Sequence, residues 1–147
     1  MKTVILYYTF GGSTKKEAER LANELNATLY RVKEARNRSF LTAFIPGGLH
    51  ARQRKSVAIQ PLEIDLNQYD RIIIGCPVWA AHPAPAFNSI VERLPKGKEV
   101  EIFLCSGGSG TANSEQGTKE LIANKGCTLI SYRDVATGVQ PSKMKEQ

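Results

Sequence analysis

Three short stretches of this chain concentrate the residue types that bind anions and flat rings. The first is T-F-G-G-S-T, Thr9-Phe10-Gly11-Gly12-Ser13-Thr14. Gly11 and Gly12 permit tight backbone curvature. Thr9, Ser13 and Thr14 add hydroxyl donors just where a helical pattern begins. Unpaired amides of a first helical turn, aided by the helix dipole, suit a phosphate dianion. The same residues serve equally well as a Gly-rich turn with Ser13 as N-cap. Neither G-K-[ST] nor G-x-G-x-x-G occurs here, so a nucleotide-triphosphatase loop and a dinucleotide fingerprint are both excluded.

The second stretch, G-C-P-V-W-A-A-H-P at 75–83, sets Pro77, Val78, Trp79, Ala80 and His82 just beyond an apolar run. The chain's one Trp is there. An indole so placed either packs or forms a wall for a heteroaromatic ring. His82 reads first as a surface or hydrogen-bonding histidine. The third stretch, 105–113, carries Ser106, Gly107, Gly108, Ser109 and Gly110. Small side chains there let backbone amides approach a ring edge, or simply make a flexible loop.

The elements that must hold these stretches alternate. Apolar, β-branched runs at 2–8, 28–32, 71–76, 100–105 and 128–135 read as strands, with Pro77 closing the third. Ala18, Leu21, Ala22 and Leu25 recur at helical spacing, and Asn26 can end that helix. Phe87, Ile90, Val91 and Leu94 define a second helix that Pro95 stops. A third carries Leu121 and Ile122, with Ser114 as its cap and Gly126 at its end. Residues 37–56 read as an inserted loop and turn with one short helix near 49–55, and 139–147 as a frayed polar tail. The expected fold is α/β: one domain over 1–147, an open parallel five-stranded sheet and helices on both faces. In such a sheet ligands bind beyond the carboxyl ends of the strands, where the three stretches fall.

Composition narrows the classes. The 147 residues suffice for one compact domain. No apolar run approaches the roughly 20 residues that span a bilayer. The N-terminus lacks the pattern of a secretory signal. Cys76, Cys105 and Cys127 have no metal spacing, so a cytoplasmic chain with reduced thiols is expected. The net charge of +6 is local: between Lys33 and Lys55 six basic residues face one acid, Glu34. No nucleic-acid signature accompanies that charge, so no nucleic acid and no membrane is expected as partner.

Taken together, the stretches resemble the flavodoxin family. Thr9, Gly12, Ser13 and Thr14 fall on its phosphate-loop pattern [-ST-]-x-[-ST-]-G-x-T, and Gly75, Pro77 and Trp79 on its G-x-P-x-W. Ser106, Gly107, Gly108 and Ser109 occupy its loop after strand four. The resemblance covers about residues 2–135 and is closest to short single-domain members. It implies strand order 2-1-3-4-5 and flavin mononucleotide (FMN) as cofactor. It also implies Trp79 against the isoalloxazine ring.

Four features depart from the family pattern. Gly11 replaces a usual hydroxyl residue, and the 106–113 loop has no aromatic residue. The pI is about 9.3, where electron-transfer flavodoxins are strongly acidic. The helix expected after strand five is missing or reduced, which would leave apolar sheet uncovered and make a homodimer one remedy.

No acid–base pair is evident, so the chemistry would be the flavin's. Two redox readings follow: an FMN electron carrier between partner proteins, or an FMN-dependent NAD(P)H or quinone oxidoreductase. In the latter, Arg52, Arg54 and Lys55 would attract the phosphates of NADPH. A flavin-free α/β domain binding another phosphate ligand or a partner is the third reading.

Overall fold

The computed structural model describes residues 1–36 and 47–137. The first part of the inserted segment, 37–46, and the frayed tail expected at 139–147 lie outside the described residues.

β1 (Thr3–Tyr7) leads through the first glycine loop into α1 (Ser13–Leu25). Asn26 ends α1 in the left-handed conformation (φ 52°), its N–H donating to the Ala22 carbonyl, as its short polar side chain allows. β2 (Thr28–Arg31) follows, then the short α2 (Gly47–Arg52) and a 3-10 turn at Leu66–Gln68. Next come β3 (Arg71–Trp79), β4 (His82–Pro83) and α3 (Pro85–Glu92). β5 (Glu99–Ser106), α4 (Glu115–Asn124) and β6 (Thr128–Ala136) complete the described chain.

The long strands pair in parallel in the order β2-β1-β3-β5-β6. This is the order expected for the five strands read from the sequence. The addition is β4, two residues that fold back antiparallel on the end of β3. Pro77 does not close the third strand, which continues to Trp79. The reason is local. β1 stops at Tyr7 opposite Gly75, and Tyr8 N–H is the last donor to reach β3 from that side. The missing N–H of Pro77 therefore faces the side β1 has left, and the Pro77 carbonyl accepts from Ala84 N–H instead.

Alternation along the central strands splits the interior into two cores. One side of β1, β3 and β5 (Leu6, Ile72, Ile74, Ile102, Leu104) packs with Phe87 and Ile90 of α3 and Ile122 of α4. The other side (Ile5, Ile73, Phe103, Cys105) meets Ala18, Leu21 and Ala22 of α1. Helices thus lie on both faces. No helix follows β6 among the described residues.

The second face is not the bare apolar sheet that the sequence reading anticipated. Beyond α1 it turns polar: Arg71 bridges to Glu99 at 2.8 Å and Glu101 at 3.5 Å, and Glu101 stands opposite Ser131. Phe103 lies over Gly75, and the Arg133 guanidinium sits 5.9 Å from the Phe103 ring.

Candidate functional site

Because β1, β3 and β5 are parallel neighbours, their carboxyl ends lie side by side, with Tyr7 opposite Gly75 and Pro77 opposite Cys105. The three loops that leave them are joined by specific contacts. Phe10 and Trp79 meet edge to face at 5.9 Å, linking the first loop to the second. Ser114 Oγ donates to the Ala81 carbonyl at 2.6 Å, linking the third to the second. The Thr14 hydroxyl hydrogen-bonds the Cys105 thiol, tying the start of α1 to β5.

In the first loop Thr9 Oγ1 accepts from Gly12 N–H at 2.9 Å, closing a tight turn and leaving the Thr9 hydroxyl hydrogen to donate elsewhere. Gly12, not Ser13, is the N-cap; its φ of 98° favours glycine, and no side chain caps the helix. Lys16 N–H is bonded to the Gly12 carbonyl, so the amides of the first turn before it have no acceptor within the helix. Thr14 is buried beside the Cys105 thiol. What α1 offers an anion is therefore its first-turn backbone. Gly11 is buried, and Phe10 and Ser13 are half-buried.

The second loop is a β-hairpin. Trp79 pairs with His82 and Val78 with Pro83 across a two-residue turn, Ala80-Ala81. Both turn residues have positive φ, 51° and 62°. Such a turn matches the twist of the flanking strands but normally recruits Asn or Gly. Alanine at both positions therefore carries no hairpin signal. Three contacts hold it: Ser114 on Ala81, the His82 ring nitrogen Nδ1 at 2.8 Å from the Ala80 carbonyl, and Gly48 of α2 against Ala80. His82 is thus a hydrogen-bonding residue of the turn, as first read.

Trp79 is not an exposed wall. It is 1% exposed and packed edge-on to Tyr8 (6.0 Å) and Phe10. Tyr8 OH in turn donates to the buried Glu34 carboxylate. The indole stiffens the floor under the second loop, while Ala80 and Ala81 form its exposed tip.

The third loop is pinned rather than loose. Ser106 Oγ accepts from the N–H groups of Gly108 and Gly110, each at 3.2 Å. Thr111, fully buried, donates its N–H and hydroxyl to the two oxygens of Asp134 at 3.2 and 2.7 Å. Gly107, Gly108 and Ser109 remain exposed at the crest. Ser114 does not cap α4; its hydroxyl is spent on Ala81.

Sequence reasoning missed one tie. Arg54 donates from one guanidinium nitrogen to Thr118 Oγ1 at 2.8 Å and from the other to the Ser114 carbonyl at 2.9 Å. Gly117 leaves room for it: a Cβ there would lie 2.9 Å from the guanidinium. Burial pulls the Arg54 pKa below its usual value, with Tyr132 opposing. Arg54 therefore fastens the segment after α2 to the third loop and is not available to a cofactor phosphate. Arg52 and Lys55 stay exposed. Both thiols in the sheet are inert. Burial pushes Cys105 up to about 11, partly offset by Thr14, and raises Cys76 further. Among the described residues no cluster of His, Cys, Asp and Glu is arranged to hold a metal, and no helix is long and apolar enough to cross a membrane.

A doubly wound α/β domain with three linked loops at the carboxyl ends of adjacent central strands is a ligand-binding class of architecture. The chain belongs to the flavodoxin family: the family model described as flavodoxin matches residues 2–132. A flavoprotein from Lactobacillus acidophilus, solved in complex with FMN, is 29% identical with a TM-score of 0.74, over 90% of this chain and 92% of that one. A protein from Bacteroides eggerthii shares the fold at 22% identity and TM-score 0.81, over 99% of this chain and 94% of that one. An uncharacterized protein of Archaeoglobus fulgidus is 25% identical over 107 residues, 71% of this chain. The match spans 65% of that relative's length.

Proposed function

We propose that this chain binds FMN across the three loops and passes electrons between redox partners. The observation that carries the reading is the linkage of the loops through Phe10–Trp79 and Ser114–Ala81 above the uncapped start of α1. The residues present fit the cofactor. The first-turn amides of α1 suit its phosphate, and the exposed crest at Gly107 and Ser109 suits the polar edge of a ring. Phe10 and the hairpin tip supply apolar contact. FMN would bring reversible uptake of electrons with a proton; the protein orients it and shields one side from water. The FMN complex of the Lactobacillus acidophilus flavoprotein supports the assignment.

The carrier reading is preferred to the NAD(P)H oxidoreductase because Arg54, one of three cations offered to NADPH, is committed to Thr118 and Ser114. Fluorescence titration tests the cofactor. FMN emission is expected to quench saturably, and riboflavin, which lacks the phosphate, to bind far more weakly. Gly12→Ala is expected to weaken FMN more than riboflavin, since strain at φ 98° distorts the phosphate turn first. Equal losses for both ligands would move the phosphate elsewhere. Steady NAD(P)H oxidation by the loaded protein would favour the oxidoreductase.

A further inference from the structure

The charges at the two ends of the sheet are treated differently. At the amino ends of the strands they find partners within the chain. Arg71 bridges Glu99 and Glu101, the Asp70 carboxylate accepts from the Lys2 backbone N–H at 2.8 Å, the Lys2 ammonium lies 5.1 Å from the Tyr69 ring, and Lys98 Nζ donates to the Asn67 carbonyl at 3.1 Å.

At the carboxyl ends several acids are engaged by neighbours, while five bases make no ion pair among the described residues. Glu34 accepts from Tyr8, Glu17 is held by Arg20 and Arg133, Asp134 by Thr111, and Glu115 by Lys119. Lys15 and Lys16 stand exposed on the first turn of α1, beside the first loop. Arg36 is exposed two residues beyond Glu34, whose carboxylate Tyr8 draws to the base of that loop. Arg52 is exposed at the end of α2, which packs on the hairpin tip through Gly48 and Ala80, and Lys55 is exposed three residues further on, its carbonyl accepting from Asn88 of α3 at 3.1 Å. The side chains of these five bases make no ion pair among the described residues.

A ring of uncompensated cations around a crevice raises the local concentration of an anionic partner and fixes its approach. We infer that Lys15, Lys16, Arg36, Arg52 and Lys55 form a docking rim for an acidic redox protein, one that presents a carboxylate-rich surface around its own electron-transfer centre. The inference rests on the FMN reading for the purpose of docking, but the surface itself does not. A small anion would need two or three of these cations converging on one point, and Arg54, the one placed between them and the third loop, is turned inward. Cations spread around three sides of the loops suit a broad protein surface instead.

The test measures association directly. A fluorescently labelled acidic iron–sulfur carrier is titrated with the purified protein, with and without FMN, at 20 and 300 mM salt, and a basic c-type cytochrome serves as the opposite-charge control. Binding of the acidic carrier is expected to weaken at least tenfold over that salt range, and the cytochrome to show no comparable binding. Arg36→Glu/Arg52→Glu/Lys55→Glu is expected to weaken the acidic carrier by a similar factor. Circular dichroism and an FMN titration of the variant report its fold and its cofactor site. A variant that folds and binds the acidic carrier as tightly as the parent overturns the rim, as does a preference for the cytochrome. So does salt-sensitive NADPH binding without acidic-protein binding. Absence of FMN binding in the parent, with acidic-carrier binding intact, would instead overturn the cofactor reading and leave the rim standing.

Discussion

The two faces of the sheet reach stability by different means. On one, α2, α3 and α4 bury Leu6, Ile74 and Leu104 against Phe87, Ile90 and Ile122. On the other, α1 is the one helix among the described residues, and its apolar contact is small: Ile5, Ile73 and Phe103 with Ala18, Leu21 and Ala22. The remainder of that face is finished with charge. Arg71, Glu99 and Glu101 neutralise one another, and Arg133 covers Phe103 while bridging to Glu17 at 2.9 Å. The lesson is that a strand face without a helix need not recruit one. Arg, Glu and Ser at the outward positions make it compatible with water.

The comparison can be broken most severely from the helix-covered side. Phe87→Ala removes a fully buried ring and is expected to cost about 3–5 kcal/mol in urea unfolding. Phe103→Ala is expected to cost less, about 2–3 kcal/mol, because the space beneath Arg133 opens to water and can relax. Equal losses would mean that both faces are sealed alike.

Gly75→Ala probes the tight point of the thinner face. An added Cβ would fall 2.1 Å from the Phe103 ring, so overpacking of about 2–3 kcal/mol is expected. Phe103→Leu in the same chain should recover part of that loss. Failure to recover would place the strain in the backbone instead.

Acid sharpens the contrast further. Hydrogen bonding from Arg20 holds the Glu17 carboxyl below its usual range, with burial opposing and Arg133 assisting. A folded-state value below the unfolded one stabilises the fold above the ordinary carboxylate range, and the gain fades as pH falls through the lowered value. Glu17→Gln is therefore expected to flatten the acid limb of a stability–pH curve between about pH 5 and 3. An unchanged limb would assign acid sensitivity elsewhere.

The smallest effect on stability is expected from Arg71→Leu/Glu101→Leu, within about 1 kcal/mol, since the pair is part-exposed. Its consequence should be association. The parent is expected to sediment as a monomer and the variant to self-associate through the new apolar patch. A parent that is already dimeric would show that the polar finish of this face does not prevent pairing.

Much of the fold was legible because it rests on periodicity. The apolar runs at 71–76 and 100–105 are buried on both sides, and Phe87, Ile90, Val91 and Leu94 share a face that is buried throughout. The loops were legible as places, since glycines and hydroxyl residues mark where strands end. Their internal wiring was not. Ala80 and Ala81 take positive φ without the residues that announce it, so the hairpin and β4 were hidden. Trp79 was expected at a surface and lies under the loop, because Tyr8 and Phe10, adjacent to it only in space, close around it. Thr14 matched a phosphate pattern, and its burial beside Cys105 was not legible from that pattern. Arg54 looked like one more cation in a basic run, and its role depends on Gly117 and Thr118, more than sixty residues away.

The sequence by itself determined the alternation of strands and helices, the order of the long strands and the end of the sheet where a ligand would sit. The alternation follows from local hydrophobic period, which neighbours along the chain decide, and the strand order from the family resemblance carried by the three loops. Only the tertiary structure decided which hydroxyls turn inward, which arginine is committed and which cations make no ion pair among the described residues. Each of those depends on a partner brought near by folding, and the free energy of a polar group is set by the partner it meets.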